Sequence, residues 1–298
     1  MGLKTSPAIL QMLMTKVLRG TEDFTGCLLD DVTIFSDNWH DHLGHVREVL
    51  ERLRAAALTL NVAKCQFCLK SIQILGYTLT DGQLTASQDK IEAILKLGPA
   101  KTKKGVKAIL GLAGYYRNLM PNFAEITFSL TELLKKNAPD KVQWQPKHTQ
   151  ALEMIKQNLT SKPVLTGPKY DREFIIFSDA TQCTVSAVLS QRDDDGTEKV
   201  IAYCSRKLLQ REQNYSSIER ECVAIIFALQ KWRQLVWGHK IRWITDHRPL
   251  QYLSGTFMNN NSRLIRWKLF LQGWDITTLY RRSEHHANAD ALTRLELD

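Results

Sequence analysis

The sequence predicts an α/β (α+β) protein whose second half is built on a mixed β-sheet. Its 298 residues are 44% hydrophobic and 24% charged, which is ordinary for a globular protein and sufficient for two hydrophobic cores. Hairpin signals and amphipathic helices share the first half of the chain. After Tyr170 three successive strand patterns are followed by helices and strands in alternation. This order predicts a sheet with helices on its faces.

The first elements are a helix, a hairpin and a second helix. Apolar residues between positions 9 and 18 mark one face of the first helix. Residues 24–36 contain two apolar strands around Asp30 and Asp31, which predicts a hairpin with carboxylates at its tip. A plain polar turn is the alternative, because acids are common in turns. The second helix starts near Trp39, and its predicted core face is a set of four apolar residues: Leu43, Val46, Leu50 and Leu53.

A run of lysines precedes and enters a later helix. Lys103, Lys104 and Lys107 accompany an apolar face that includes Val106 and Ile109. A solvated helix face is the ordinary explanation for such a charge run. Residues 161–168 then break the periodicity with two prolines and a glycine, and we interpret them as a boundary between domains.

Four acidic residues stand at the ends of separate predicted elements. Asp179 ends an apolar strand, Asp246 ends the strand 241–245, and Glu221 lies in the first turns of an amphipathic helix. Asp290 follows Asn288 at the start of a final helix. Carboxylates that converge from separate elements need a cation to offset their repulsion. Two Mg²⁺ ions, with Mn²⁺ as the alternative, would activate water and stabilise the leaving oxygen of a phosphodiester.

Periodicity alone does not choose between Glu219 and Glu221, because they flank the core stripe of the helix on opposite sides. However, Ser216 and Glu219 have the spacing of a capping box, in which the glutamate accepts the backbone N–H of the cap residue. This assigns Glu219 a structural role and leaves Glu221 for the metal.

The chain carries 40 basic and 31 acidic residues, a net charge of +9 with a pI near 9.2. This balance suits a polyanionic substrate, although a merely soluble basic protein has the same charge. Six scattered cysteines without a signal peptide predict reduced thiols and a cytoplasmic or nuclear location. We interpret Cys65 and Cys68 as packing residues. No apolar run approaches membrane-spanning length, so no membrane partner is expected.

Several motifs resemble those of one family, in the order in which that family has them. Leu28-Leu29-Asp30-Asp31 resembles the catalytic Y-L-D-D hairpin of retroelement reverse transcriptases. Further palm and thumb matches are residues 2–11, 60–65, 75–77 and 111–117. RNase H motifs match at Ser178-Asp179-Ala180-Thr181 and at 203–208, 214–216, 245–250 and 286–294. The chain thus resembles the Pol polyprotein of gypsy-class LTR retrotransposons through essentially its whole length.

The resemblance implies a partial reverse-transcriptase palm in 1–85, a thumb and connection in 86–168, and an RNase H-like domain in 169–298. It implies that the RNase H metal ligands are Asp179, Glu221, Asp246 and Asp290, and that Asp30 and Asp31 belong to the polymerase. His286 is a candidate mobile base or product-release group, with a surface histidine as the alternative. The implied nucleic-acid contacts are Lys103, Lys104, Lys107 and Arg117. The implied partners are an RNA–DNA hybrid, a template–primer and other Pol segments, with a virus-like particle as an alternative location.

Two departures from the family pattern bear on activity. Leu28 replaces the tyrosine before the acidic pair, and the chain starts after the palm strand that supplies another metal-binding aspartate, so we expect the polymerase half to be inactive alone. Thr184 and Ser186 replace two glycines after Asp179, and their side chains are expected to weaken hybrid binding. The intact set of four acids nevertheless favours an RNA–DNA hybrid ribonuclease. The alternatives are a non-catalytic nucleic-acid-binding remnant and a fragment of a longer active RNA-directed DNA polymerase.

Overall fold

The computed structural model describes residues 5–161, 164–248, 250 and 261–281. The chain divides into two compact units, one ending at Leu69 and the other starting at Lys70. The predicted boundaries after residues 85 and 168 both fall within the second unit and stay predictions. Across the described ranges, every helix is too short or too polar to cross a bilayer.

The first unit consists of two helices and a hairpin. Its elements are α1 (Ser6–Val17), β1 (Thr25–Leu28), β2 (Asp31–Ile34), α2 (Trp39–Ala55) and a short 3-10 helix (Val62–Lys64). The two strands are antiparallel, and Leu28 pairs with Asp31 at the turn, which confirms the predicted hairpin. Asn38 caps α2 by accepting a hydrogen bond from the backbone N–H of Asp41 at 3.0 Å.

The predicted core face of α2 is partly wrong. Leu43 and Leu50 are 52% and 37% exposed, whereas Val49 and Leu53 are buried with Met14 and Leu18. The ring of His45 stacks on Phe24 with 3.9 Å between centroids, so a histidine takes an inward position. A pattern of apolar residues does not include a histidine, and the face that it predicts therefore differs from the buried face of α2. Cys68 is also exposed, which contradicts its interpretation as a packing residue.

The second unit begins with a four-stranded antiparallel sheet and the helices that cover it. The strands are β3 (Ser71–Ile74), β4 (Tyr77–Thr80), β5 (Gln83–Ala86) and β6 (Leu165–Thr166), in that spatial order. Asp81 and Gly82 have φ values of 49° and 71° and form the tight turn between β4 and β5, as an Asp-Gly pair favours. The helices are α3 (Gln88–Leu95), α4 (Lys103–Tyr115), α5 (Phe123–Ile126), α6 (Phe128–Glu132) and α7 (Pro146–Thr160), with a 3-10 turn at Arg117–Leu119. Val106 and Ile109 of α4 are buried as predicted.

A five-stranded mixed sheet follows in the same unit. Its strands are β7 (Phe174–Ala180), β8 (Thr184–Arg192), β9 (Glu198–Lys207), β10 (Ile241–Thr245) and β11 (Ile276–Tyr280). Their order is β11-β10-β7-β8-β9, with β10 parallel to both of its neighbours and the other pairs antiparallel. The helices are α8 (Gln210–Gln213), α9 (Ser217–Lys231), α10 (Arg233–Val236) and α11 (Ser262–Gln272). This arrangement confirms the mixed sheet that the second half of the sequence predicts.

The two faces of the five-stranded sheet meet different layers. On one face Phe174, Ile176 and Trp243 pack against Cys222 and Ile225 of α9. On the other face Tyr203 and Val188, which are paired across β9 and β8, join the core of α4 and α7. The helices that precede the sheet in the chain therefore form part of its packing.

Candidate active site

Asp179 and Asp246 lie at the same edge of the five-stranded sheet. Strands β7 and β10 are adjacent and parallel, and Phe177 pairs with Ile244. Continuing this register by two positions brings Asp246 level with Asp179. Since the carboxyl ends of parallel strands meet at one edge, where α/β proteins commonly bind their ligands, the structure brings these two predicted residues together.

Glu221 approaches the same edge from α9. Its Oε1 accepts a hydrogen bond of 3.0 Å from the backbone N–H of Ala180, the residue after Asp179. The residue is 5% exposed, and its Oε2 is buried without a hydrogen-bond partner in the described part of the chain. Burial, followed by the negative charges of Asp179 and Asp246, raises the pKa of Glu221 to about 8. Three carboxylates thus interact at the end of the sheet.

Glu219 has the structural role that the capping box predicts. Its carboxylate accepts the backbone N–H of Ser216 at 2.9 Å, and also Asn261 Nδ2 at 3.0 Å and Arg263 Nη1 at 2.6 Å. Burial opposes its ionisation, but the hydrogen bonds from Asn261, Ser216 and Arg263 outweigh burial and lower the pKa of Glu219 to about 2. Sequence reasoning missed the bonds from Asn261 and Arg263, because no local pattern links residues that lie more than 40 positions apart.

The predicted fourth ligand, Asp290, and the candidate base, His286, lie outside the described residues. Within the described residues, no three His, Cys, Asp or Glu side chains are grouped so that they could hold a metal ion. The four-carboxylate metal site therefore stays a prediction. The three carboxylates that are described supply oxygen ligands of the kind that Mg²⁺ prefers, and the buried Glu221 Oε2 is an atom that a cation would satisfy.

The two residues that replace family glycines have different surroundings. Thr184 is buried, and its hydroxyl lies 2.8 Å from that of Thr181, so it stabilises the β7–β8 turn. Ser186 is directly opposite Asp179 in the antiparallel pair, and opposed side chains share one face of a sheet. Of the two substitutions, only that at Ser186 therefore lies beside a candidate catalytic residue.

A buried hydrogen bond ties the two aspartate-bearing strands together. Trp243 Nε1 of β10 donates to Ser178 Oγ of β7 at 2.8 Å. Both residues are buried, at 0% and 4% exposed; Ser178 directly precedes Asp179, and Trp243 lies three positions before Asp246. Sequence reasoning missed this bond; the only signal was the serine within the Ser178-Asp179 motif.

The acidic hairpin of the first unit is held by α1. Asp30 and Asp31 are exposed at the β1–β2 turn, where Leu29 has a φ of 56°. The backbone N–H of Leu29 donates to Gln11 Oε1 at 2.7 Å, so the side chain of Gln11 supports the strained turn. The catalytic role of the two aspartates stays a prediction.

The four predicted nucleic-acid contacts divide into two pairs. Lys104 and Lys107 are exposed on α4. Lys103 donates to the carbonyl of Ala138 at 2.7 Å and lies 3.3 Å from Asp140, while Arg117 donates to the carbonyl of Ser205. The first pair faces solvent and the second pair is already engaged within the chain, and a role in nucleic-acid binding stays a prediction for all four.

Comparisons with known proteins match this architecture. Residues 169–274 match the family model described as an RNase H-like domain found in reverse transcriptase, and residues 1–79 match that of reverse transcriptase (RNA-dependent DNA polymerase). The Tf2-3 transposon polyprotein of Schizosaccharomyces pombe is 35% identical over 99% of this chain, and the Tf2-7 polyprotein is 34% identical. The chain spans 22% of the length of these relatives.

Solved structures agree on the fold. The foamy viral protease-reverse transcriptase in complex with dsDNA superposes with a TM-score of 0.82 at 23% identity, covering 95% of this chain and 59% of that one. The same viral protein in complex with an RNA/DNA hybrid gives a TM-score of 0.79 at 23% identity, covering 93% and 38%. These similarities confirm the predicted fold class.

Proposed function

We propose that this chain catalyses the metal-dependent hydrolysis of the RNA strand of RNA–DNA hybrids. The chain belongs to the Pol polyproteins of gypsy-class LTR retrotransposons and carries their reverse transcriptase and RNase H-like domains. Asp179, Glu221 and Asp246 are the proposed catalytic residues in the described part of the chain. Asp290 and His286 complete the proposed set from outside it.

The observation that carries this proposal is the buried Oε2 of Glu221, which has no hydrogen-bond partner among the described residues. Burial and like charges raise the pKa of this carboxyl to about 8, so its ionised form destabilises the fold when no cation is present. A carboxylate in such surroundings is typical of a functional site rather than of a packing position. The residue types suit a divalent cation, which, when bound, supplies an activated water and stabilises the leaving oxygen of a phosphodiester.

The chain's own residues set the positions of these carboxylates. The Ala180 N–H orients Glu221 by its bond to Oε1. The bond between Trp243 and Ser178 fixes β10 against β7, and therefore fixes Asp246 against Asp179. Glu219, bound to α11, holds the start of α9. The carboxylates thus stand on rigid elements, as the precise placement of reacting groups requires.

The proposed substrate follows from charge and from the structural neighbours. The net charge of +9 favours a polyanion, and the foamy viral protein has been solved with dsDNA and with an RNA/DNA hybrid. We assign phosphate contacts to the exposed Lys104 and Lys107. Discrimination of RNA from DNA would come from helix shape and the 2′-OH rather than from base sequence. Asp30 and Asp31 are the proposed polymerase carboxylates of the first unit.

The experiment measures cleavage of a labelled RNA–DNA hybrid by the parent chain, Asp179→Asn and Asp246→Asn, with Mg²⁺ and with EDTA. The parent should cut the RNA strand only with metal, and should leave duplex DNA and single-stranded RNA intact. Each variant should lose on the order of a hundred- to a thousand-fold in rate. The control is Asp275→Asn, an exposed aspartate before β11, which should cut like the parent. A parent that never cuts a hybrid would favour the non-catalytic alternative.

A further inference from the structure

Strand β9, at one edge of the described five-stranded sheet, is bound by the segment 117–132, which we call the brace. Ser205 of β9 is 2% exposed. Its carbonyl accepts a hydrogen bond from the Arg117 guanidinium, and its Oγ accepts the backbone N–H of Ala124 at 2.9 Å. The carbonyl and the hydroxyl of Ser205 are thus both bound by the brace.

A second contact anchors the brace two residues further along β9. The ammonium of Lys207 lies 3.8 Å from the centroid of the Phe128 ring and 3.1 Å from Glu132 Oε1. A cation over an aromatic ring and a half-buried ion pair add to each other at this position. The brace therefore holds β9 at alternate residues, which are those whose side chains share one face of the strand.

The held residue lies in the same cross-strand row as a candidate catalytic aspartate. Ser205 is the register partner of Ser186 in β8, and Ser186 is the register partner of Asp179 in β7. Opposed side chains in antiparallel pairs share a face, so these three residues run across the sheet on the face that the brace contacts. A shift of β9 along its own axis would be transmitted to Asp179 through two ladders of backbone hydrogen bonds.

The neighbouring row supplies a second connection. Tyr203 is the register partner of Val188 and is 3% exposed in the core that also contains Leu119 of the brace. Val188 packs both against that core and against Phe177, two residues before Asp179. The apolar core under the brace thus continues to the strand that carries the candidate catalytic group.

We infer that the brace positions the hydrolytic site and that Arg117 is a positioning residue, acting through Ser205 and Ser186 on Asp179, rather than a phosphate ligand. The inference rests on the proposed function for its expected effects on cleavage kinetics. Its expected effects on the stability of the strands rest only on the contacts between the brace and β9. It assigns a part in catalysis to a segment that precedes the five-stranded sheet in the chain.

Two variants and one control test the inference by kinetics. Arg117→Gln removes the guanidinium, Ser205→Ala removes the acceptor of the Ala124 N–H, and Arg211→Gln removes an exposed arginine of α8. On an RNA–DNA hybrid, the first two should lower kcat on the order of tenfold or more, as small misplacements of reacting groups do. Their KM and the slope of log K for hybrid binding against log salt should equal those of the parent, and Arg211→Gln should match the parent throughout.

A phosphate ligand would behave differently. Loss of Arg117 would then flatten the salt slope by roughly one unit and raise KM, with kcat unchanged. That result would overturn the inference, as would kinetics and binding identical to the parent's for both variants.

Amide hydrogen exchange in EDTA gives a readout that needs no activity. Peptides that cover β7 and β8 should exchange faster in Arg117→Gln and Ser205→Ala than in the parent and in Arg211→Gln. Exchange in β7 and β8 equal to the parent's would refute the positioning role of the brace even if cleavage changed. If the parent cuts no hybrid, the proposed function fails and exchange alone decides the inference. Circular dichroism checks that each variant is folded, and Arg117→Lys, which keeps a charged donor, replaces Arg117→Gln if the latter does not fold.

Discussion

Glu219 and Glu221 stand two positions apart in α9, and the same substitution to glutamine should change stability in opposite directions at these two sites. Both side chains are buried. Glu219 is surrounded by donors and has a pKa lowered to about 2, whereas Glu221 is buried beside two aspartates and has a pKa raised to about 8. Both variants replace a glutamate by a glutamine in the same helix, so differences in helix propensity cancel.

For Glu221→Gln the sign follows from proton linkage. The unfolded chain releases this proton near the ordinary glutamate pKa of 4.5, and the folded chain holds it until about 8. The stability of the parent is therefore fully present below pH 4.5 and falls as pH rises from 4.5 towards 8. At pH 7 the difference corresponds to about 3 kcal/mol, at roughly 1.4 kcal/mol for each pH unit. Glutamine does not titrate and keeps an oxygen for the Ala180 N–H, so the variant should be more stable than the parent by up to that amount.

For Glu219→Gln the sign is reversed. Its pKa is depressed, so the ionised form contributes stability above pH 4.5, and this contribution is lost as pH falls towards 2. Glutamine weakens the charge-assisted bonds from Arg263 and Asn261. We expect a loss of roughly 1–3 kcal/mol at pH 7, the usual size for hydrogen bonds to a charged group.

The assay is urea denaturation of the parent and both variants in EDTA at pH 5, 7 and 8. The advantage of Glu221→Gln should grow with pH and almost disappear at pH 5. Adding Mg²⁺ should stabilise the parent but not Glu221→Gln, because ligands stabilise the state that binds them. The reasoning is refuted if Glu221→Gln is less stable than the parent at pH 8 in EDTA, or if its advantage does not depend on pH.

Three further predictions concern other parts of the chain. Changing Lys104 and Lys107 together to Ala should flatten the slope of log K for hybrid binding against log salt by roughly one unit for each phosphate that the variant no longer neutralises; a slope equal to the parent's would mean that the lysines only face solvent. Ser178→Ala leaves the buried indole N–H of Trp243 without its acceptor and should lower the free energy of unfolding by about 1–3 kcal/mol, measured by denaturation, whereas full stability would show that the bond is dispensable. Ser186→Gly removes the side chain opposite Asp179 and should tighten hybrid binding in a titration; weaker binding would contradict the expected cost of that side chain.

Features that depend on short stretches of chain could be predicted from the sequence. The capping box of Glu219 spans four residues, the Asp81-Gly82 turn spans two, and the buried face of α4 follows from its own apolar spacing. The ends of β7 and β10, with Asp179 and Asp246, could also be placed, because an apolar run that stops at an acid is a local pattern. Backbone hydrogen bonds and periodicity act between near neighbours, so the residues themselves determine such features.

Contacts between distant residues were decided only by the tertiary structure. Arg117 meets Ser205 across 88 positions of the chain, and Arg263 meets Glu219 across 44. The inward face of α2 depended on which residues α1 and Phe24 presented to it, so His45 packs on Phe24 whereas Leu43 and Leu50, which the apolar pattern placed inside, are exposed. The strongly raised pKa of Glu221, which lies on α9, likewise arises from burial and from Asp179 and Asp246, which lie at the ends of two strands. Local sequence does not encode these features, since they depend on how separate elements pack and therefore on the whole fold.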